Sequence, residues 1–393
     1  MKEFEMSNPE IYDNAFKFMD RYMQKKHLQK VLKKWGIKKT RRLIDMYNEI
    51  IDLVRFGFID ITEFSKWLSR SQLDGNNYHF IYDVDFTEIN EAAAEKFLEN
   101  SDDTTENILD INENKLNETK LIDIFKINHK YVLAFLSPAE ISIKQNIGDS
   151  YSFQNKKITY PAFVVFDFLN NNVSVILNPT TGLVHVDNIN QGKYSSFSPI
   201  ADFYLRNAKD ILGKFTINKP KWLSKALFQF AEELSAIKDP EVKKRSHSMD
   251  KKIKNFSKKI LEENGITDTA LINSFCIEIK DSFISVLQEE YGFEEYESPY
   301  RVYLQKTDQA STSIAVESKT NILTNGTTGR IAKQSRQVSD VKVIGLEYNP
   351  NEYNLYRFRI EDGDDHILIK PSNRFTEEEV IQNVLSKLRE YKR

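Results

Sequence analysis

Hydrophobic spacing changes period twice along this 393-residue chain, and that change restricts the fold more than any motif. In the first 73 residues apolar side chains recur at helical intervals. Leu28, Val31, Leu32 and Trp35 mark one buried helix face, which Gly36 is placed to end. After Thr40, a good N-cap, Leu43, Tyr47, Ile50, Ile51 and Val54 repeat the pattern until Gly57. A third short helix, Thr62 to Ser69, is expected to bury Phe64, Trp67 and Leu68, and the turn Asp74-Gly75-Asn76-Asn77 then leads into a predicted strand, Tyr78 to Phe86.

From about residue 78 to 197 the pattern becomes β-rich. Tyr131 to Leu136, Tyr160 to Phe168, Val173 to Leu177 and Leu183 to Val186 are dense in β-branched and aromatic residues. Asn170-Asn171-Asn172 joins two of these runs as a hairpin, because Asn tolerates the positive φ of tight turns. Helical spacing returns between about 198 and 291. There the stripes Leu223 to Ile237 and Met249, Ile253, Phe256, Ile260 flank a basic hinge, Lys238 to His247, and a helix from Asp268 to about Glu290 is expected to bury Leu271, Phe275, Ile279, Val286 and Leu287. The expected class is α+β: a three-helix module at 1–76, helix-turn-helix-like or interaction-making; an antiparallel sheet continuing into helices at 77–306; a flexible linker at 307–340; and a C-terminal ββα unit at 341–393.

Composition bounds the chemistry. Cys276 is the only cysteine, which excludes an internal disulfide and a zinc site built on several thiolates, and fits a reducing cytoplasm. MKEFEMSNPE lacks the basic stretch and apolar core of a secretion signal, and no run is long and apolar enough to span a membrane. The formal charge of only −3 hides strong sorting. Arg21 to Arg42 carries ten Lys and Arg and no acid, Tyr204 to Ile260 carries fifteen basic against six acidic residues, and Ile81 to Ile124 carries thirteen acids against Lys96, Lys115 and Lys120. Local potential of this kind attracts oppositely charged partners even when net charge is small.

On both basic helices the positive groups sit opposite the apolar stripe. Lys26, Lys30, Lys33 and Lys34, with Arg41 and Arg42, form one candidate phosphate-binding patch; Lys243, Lys244, Arg245, Lys251, Lys254 and Lys258 form the other. Rows of this kind contact a nucleic-acid backbone without reading sequence, whereas groove reading would draw on Arg41, Arg42 and Asn48. The competing reading is a solvated lysine face, or one that docks on an acidic protein surface such as residues 81–124.

Enzymatic signals are sparse. The six histidines have no pair at local metal-ligand spacing, Cys276 sits in an apolar helical pattern, and Gly192-Lys193 lacks both the first glycine and the hydroxyl of a P-loop. Asp268 with Glu278-Ile279-Lys280 resembles the metal-binding core of a PD-(D/E)xK nuclease, which implies Mg2+ held by Asp268 and Glu278 with Lys280 assisting the attacking water. That core needs a strand, and helical spacing here sets Glu278 and Lys280 about 200° apart. Asp362, Asp364, Asp365 and His366 read as solvated turn residues. The sequence therefore describes a non-enzymatic nucleic-acid-binding or assembly component of a cytosolic bacterial system, of the kind that handles mobile or phage DNA. No cofactor is expected, DNA or RNA is the expected partner, and the alternatives are the metal-dependent nuclease and a scaffold that self-associates or docks on an acidic protein.

Overall fold

The strand predicted from Tyr160 is the last part of a much longer one. In a computed structural model, which describes residues 9–37, 42–100, 104–147, 150–235, 239–291, 298–309, 312–318 and 326–392, β3 (Lys130–Ile147) and β4 (Ser150–Asp167) pair in unbroken antiparallel register from Lys130↔Asp167 to Ile147↔Ser150. Around them the fold is α+β, and every strand pair is antiparallel among the described residues. The chain divides into two compact units, one of residues 1–220 with 363–382 and one of 221–362 with 383–393.

The first unit is built on a sheet. β1 (Tyr78–Phe86) pairs β5 (Asn172–Leu177), β5 pairs β4, and β4 pairs β3. Both outer edges are shared by short strands placed end to end. β13 (Ile367–Pro371) and β8 (Phe215–Asn218) divide the free edge of β1, while β2 (Lys120–Ile127) and β6 (Leu183–Val186) divide that of β3, and β7 (Ile189–Asn190) extends β6. The β4–β5 hairpin is the predicted one, with Asn171 at φ 50° and the Asp167 carboxylate accepting from Asn170 N at 3.0 Å.

Side-chain alternation along these strands buries both faces of the sheet. Phe163 and Val165 of β4 enter a core with α1 (Pro9–Tyr22), α2 (Lys25–Lys34), α3 (Leu43–Arg55) and α4 (Ile61–Arg70). Ala162, Val164 and Phe166 enter the opposite core, with α5 (Glu91–Glu99) and α6 (Ser198–Leu212). The N-terminal helices therefore share a core with the sheet, and the expected boundary at residue 76 falls inside it. α1, which lies ahead of the three predicted helices, buries Tyr12, Ala15, Met19 and Tyr22. β1 lies between β13 and β5, so it cannot serve as the exposed wing of a winged-helix reader.

The second unit has a four-stranded sheet, β10 (Thr312–Glu317), β9 (Tyr300–Gln309), β11 (Asp340–Asn351) and β12 (Asn354–Asp362). α7 (Leu223–Ser235) buries Leu223, Ala226, Leu227 and Phe230. α8 (Pro240–Glu263) and α9 (Thr269–Tyr291) form a helical hairpin joined by a short turn. The basic hinge expected at 238–247 is helical from Pro240 onward, because Asp239 caps the N–H groups of Glu241 and Val242 at 2.8 and 2.9 Å and Pro240 suits a first turn; Lys238 lies outside the described residues. Of the residues expected to be buried in the next helix, Leu287 is buried, but Leu271 and Val286 are exposed, as is Phe256 of α8. Apolar residues spread over a wide arc of α9, and the helices packed against it, α8 and α10 (Gly326–Val338), leave Leu271 and Val286 uncovered.

The expected linker at 307–340 holds β10 and α10 (Gly326–Val338). Its polar composition misled because some of its polar groups are buried against the sheet and α7: Ser335 Oγ accepts from Gln305 Nε2 at 3.0 Å, and Arg336 donates to Glu232 and to Gln305 Oε1. The C-terminal ββα segment is likewise divided. β12 pairs β11 in the second unit and β13 pairs β1 in the first, and α11 (Glu378–Arg389) runs through the last boundary.

Two tests follow from the first unit. His79 on β1 is buried, and burial, with Lys130 adding repulsion, lowers its pKa to about 3. The unfolded chain protonates this imidazole near pH 6.5 and the folded chain does not, so its contribution is complete above that value and is lost as pH falls toward 3, by about 1.4 kcal/mol per pH unit. Urea unfolding of His79→Gln between pH 7 and 4 will show a correspondingly shallower pH slope than the parent chain. Gly182 has φ +73°, and a Cβ there would lie 2.6 Å from Ser142 O. Gly182→Ala is expected to cost about 2 kcal/mol, from left-handed backbone and local displacement together, read as a lower denaturation midpoint at unchanged slope.

Candidate nucleic-acid interface

The two basic helices fare differently once folded. On α2 the lysines point outward as their spacing requires, but most are engaged. Lys30 Nζ lies 2.8 Å from Asp74 and 3.8 Å from Glu377, and Lys34 Nζ lies 2.8 Å from Glu63. Lys26 and Lys30 both sit over the Phe375 ring, at 5.2 and 5.0 Å from its centroid. The Glu63 carboxyl is held below the usual carboxylate range, first by the Lys34 ammonium and then by the Trp35 indole. Lys33 is exposed with no carboxylate in reach among the described residues, and Arg42 is exposed at the start of α3. Arg41 lies outside the described residues. Asn48 is exposed on α3.

Among the described residues the acidic stretch makes no ion pair with this patch. Glu91 and Glu95 pair with Lys126, Glu106 and Glu118 with Lys120, Glu113 with Arg21, and Asp123 with Arg70. Asp123 is buried, and Ser69 donates to the same carboxylate at 2.8 Å. These acids are largely answered within their own surroundings.

α8 keeps its charge available. Between Val242 and Leu261 it carries eight Lys and Arg against one acid, Asp250. That acid faces α9, where Lys280 Nζ lies 2.7 Å away and holds the Asp250 carboxyl below its ordinary range. Val242, Ser246, Ile253 and Ser257 are buried along the side adjoining Asp250, and the two serines are small enough to admit a close neighbour. Lys244, Lys251 and Lys258 recur every seven residues on the outward face, about 10 Å apart and spanning about 21 Å. Ser248 and Asn255 lie between them, and Lys243 and Lys254 flank the row. Lys243, Lys244, Lys251, Lys252 and Lys254 are all exposed and have no carboxylate within ion-pair distance among the described residues. Lys258 reaches Glu262 at 3.6 Å, and Arg245 pairs with Glu241 at 2.6 Å while lying over the Tyr291 ring at 4.1 Å.

The residues of the nuclease alternative do not converge. Asp268 caps α9 by accepting from Ala270 N at 2.7 Å, Glu278 is exposed mid-helix, and Lys280 turns to Asp250. Ten residues of helix separate Asp268 from Glu278 by about 15 Å, too far to share one ion. Among the described residues no group of three or more His, Cys, Asp or Glu side chains could hold a metal, the turn Asp362, Asp364, Asp365 and His366 included. In that turn His366 is buried beside Phe80 and Tyr82, and its Nδ1 lies 2.8 Å from Asp365.

One exposed feature has no mark in the hydrophobic spacing of the sequence. The far ends of β3 and β4 carry Tyr151 and Phe153, 60% and 67% exposed, with Lys144 Nζ 3.9 Å from the Tyr151 centroid. The available signal was alternation of aromatic and polar residues from Tyr151 to Lys157, which was too polar to register as a strand. No family model matches the chain, and no curated protein is similar to it. The contrast between helices has a direct check. Under limiting acetylation followed by peptide mass spectrometry, Lys244, Lys251 and Lys254 are expected to react ahead of Lys30, whose ammonium is shared between two carboxylates and an aromatic ring.

Proposed function

We propose that the protein binds nucleic acid through phosphate contacts made by the outward face of α8. The observation that carries this reading is the row Lys244, Lys251 and Lys258 with flanking Lys243 and Lys254, where the lysines between 243 and 254 have no acidic partner among the described residues. A lysine already paired with carboxylate gains little by exchanging it for phosphate, whereas a free ammonium gains the counterion-release term in full. By that argument the α2 patch is the weaker surface, with Lys33 and Arg42 its most available cations. Contacts from ammonium groups alone position a backbone and carry no sequence information, so the expected mode is sequence-tolerant.

Exposed apolar residues on the same hairpin favour a second role in assembly. Phe256, Leu271, Ile277 and Val286 are each at least half exposed. A surface of this kind suits contact with another protein, and it leaves the α8 lysine row unblocked.

The test is a salt titration of binding to random-sequence duplex and single strand. Affinity should fall steeply with salt, and Lys244→Glu, Lys251→Glu and Lys254→Glu together should weaken binding and lower the log–log slope by about 2 to 3 on duplex. Lys30→Glu with Lys34→Glu should have the smaller effect. Absence of binding at about 50 mM salt, where phosphate contacts are strong, overturns the proposal.

A further inference from the structure

In the first unit, part of the β3–β4 pair leaves the sheet and presents an exposed face. β5 accompanies β4 only from Ala162 to Asp167, and β6 accompanies β3 only as far as Ile141. Ser142 is held by one further bond, its N–H donating to Gly182 O at 2.7 Å. Beyond that point the two strands continue as a ribbon with no third strand among the described residues. From Ile143 to Ile147 it reaches about 15 Å.

The pleat sorts the ribbon into two unlike faces. Directly opposed residues share a face, so Lys144↔Phe153, Asn146↔Tyr151 and Ser142↔Asn155 lie together, with Glu140↔Lys157 at their base. The other face carries Ile143, Gln145, Ser152 and Gln154, where Gln145 Nε2 donates to Gln154 Oε1 at 2.5 Å. On the first face the Tyr151 and Phe153 rings stand edge to face, 5.8 Å apart. Lys144 covers Tyr151, which leaves Phe153 the more open ring. Among the described residues the single acid of this face, Glu140, is already approached by His185 Nε2 at 3.4 Å and by Asn155 Nδ2 at 3.4 Å. Open aromatic rings, amides and two lysines with one engaged acid match a ligand that combines flat apolar rings with negative charge.

We infer that this ribbon face binds single-stranded nucleic acid, with an unpaired base stacked on Phe153 and with Lys144 and Lys157 meeting the backbone on either side. A duplex cannot use the site in this way, because its bases are already stacked on one another. Stacking on an aromatic side chain tolerates any base, and the Asn146 amide supplies a donor and an acceptor for base edges. The assignment goes beyond the α8 reading in residues, unit and ligand, and the two can fail separately.

The experiment measures affinity of the full chain for a twenty-nucleotide thymidine strand, an abasic strand of equal length and a duplex. Phe153→Ala is expected to weaken binding to the thymidine strand by about tenfold and to leave the abasic strand and the duplex unchanged. Phe153→Trp should retain affinity, and its added indole fluorescence should be quenched by the thymidine strand and not by the abasic one. Lys244→Glu with Lys251→Glu reports on α8 in parallel, so loss of duplex binding there leaves the ribbon result interpretable. Equal thymidine-strand affinity for Phe153→Ala and the parent chain overturns the proposal. So does an equal loss on the abasic strand, or a change in light scattering showing that the ring joins two copies of the chain.

Discussion

Two-sided burial of the antiparallel sheet in the first unit is the constraint on which the rest of that unit depends. An antiparallel sheet can leave one face to water, and then each strand needs only one apolar side. Here β5 is buried at every position and β4 alternates between two separate cores, so helices must cover both faces. The N-terminal helices answer one face, and α5 with α6 answers the other. The two short strands that share each outer edge complete the backbone bonding of strands longer than themselves.

The same constraint explains where β3 and β4 leave the sheet. Inside the two cores their side chains are fixed by packing, and neighbouring strands bond much of their outer backbone edges. Past Ser142 and Asn155 neither core continues, and only the pairing of the two strands with each other remains. An isolated two-stranded ribbon is marginal in water, and cross-strand pairs such as Lys144 with Phe153 supply part of its cohesion. A ligand that stacks on Phe153 would add to that cohesion, so binding and ordering of the ribbon are coupled.

Legibility in the sequence followed burial. β1 is legible from Tyr78 to Phe86, the whole of its length, because β-branched and aromatic residues crowd a strand buried on both sides. The α8 lysine face is legible because Ile253 sets the phase of the helix and the lysines fall opposite it. The ribbon was not legible, since Tyr151 to Lys157 has no core to bury and periodicity speaks only where one side is apolar. Segment 307–340 failed for the opposite reason. Ser335 and Arg336 are polar and buried, and only tertiary partners such as Gln305 and Glu232 reveal why.

Charge shows the limit of spacing most clearly. α2 and α8 have the same arrangement of lysines opposite apolar residues, and sequence ranks them as equals. Asp74, Glu63 and Glu377 come to α2 from segments remote in sequence, and they draw Lys30 and Lys34 into ion pairs that fasten the helix to its surroundings. Exposed pairs of this type contribute little stability each, yet they remove the local potential that would attract an anion. On α8 the one acid within the basic run faces inward to Lys280, so it strengthens the hairpin without touching the outward potential. Which basic face can meet a phosphate is therefore decided by where the carboxylates fold, and the count of lysines does not carry that information.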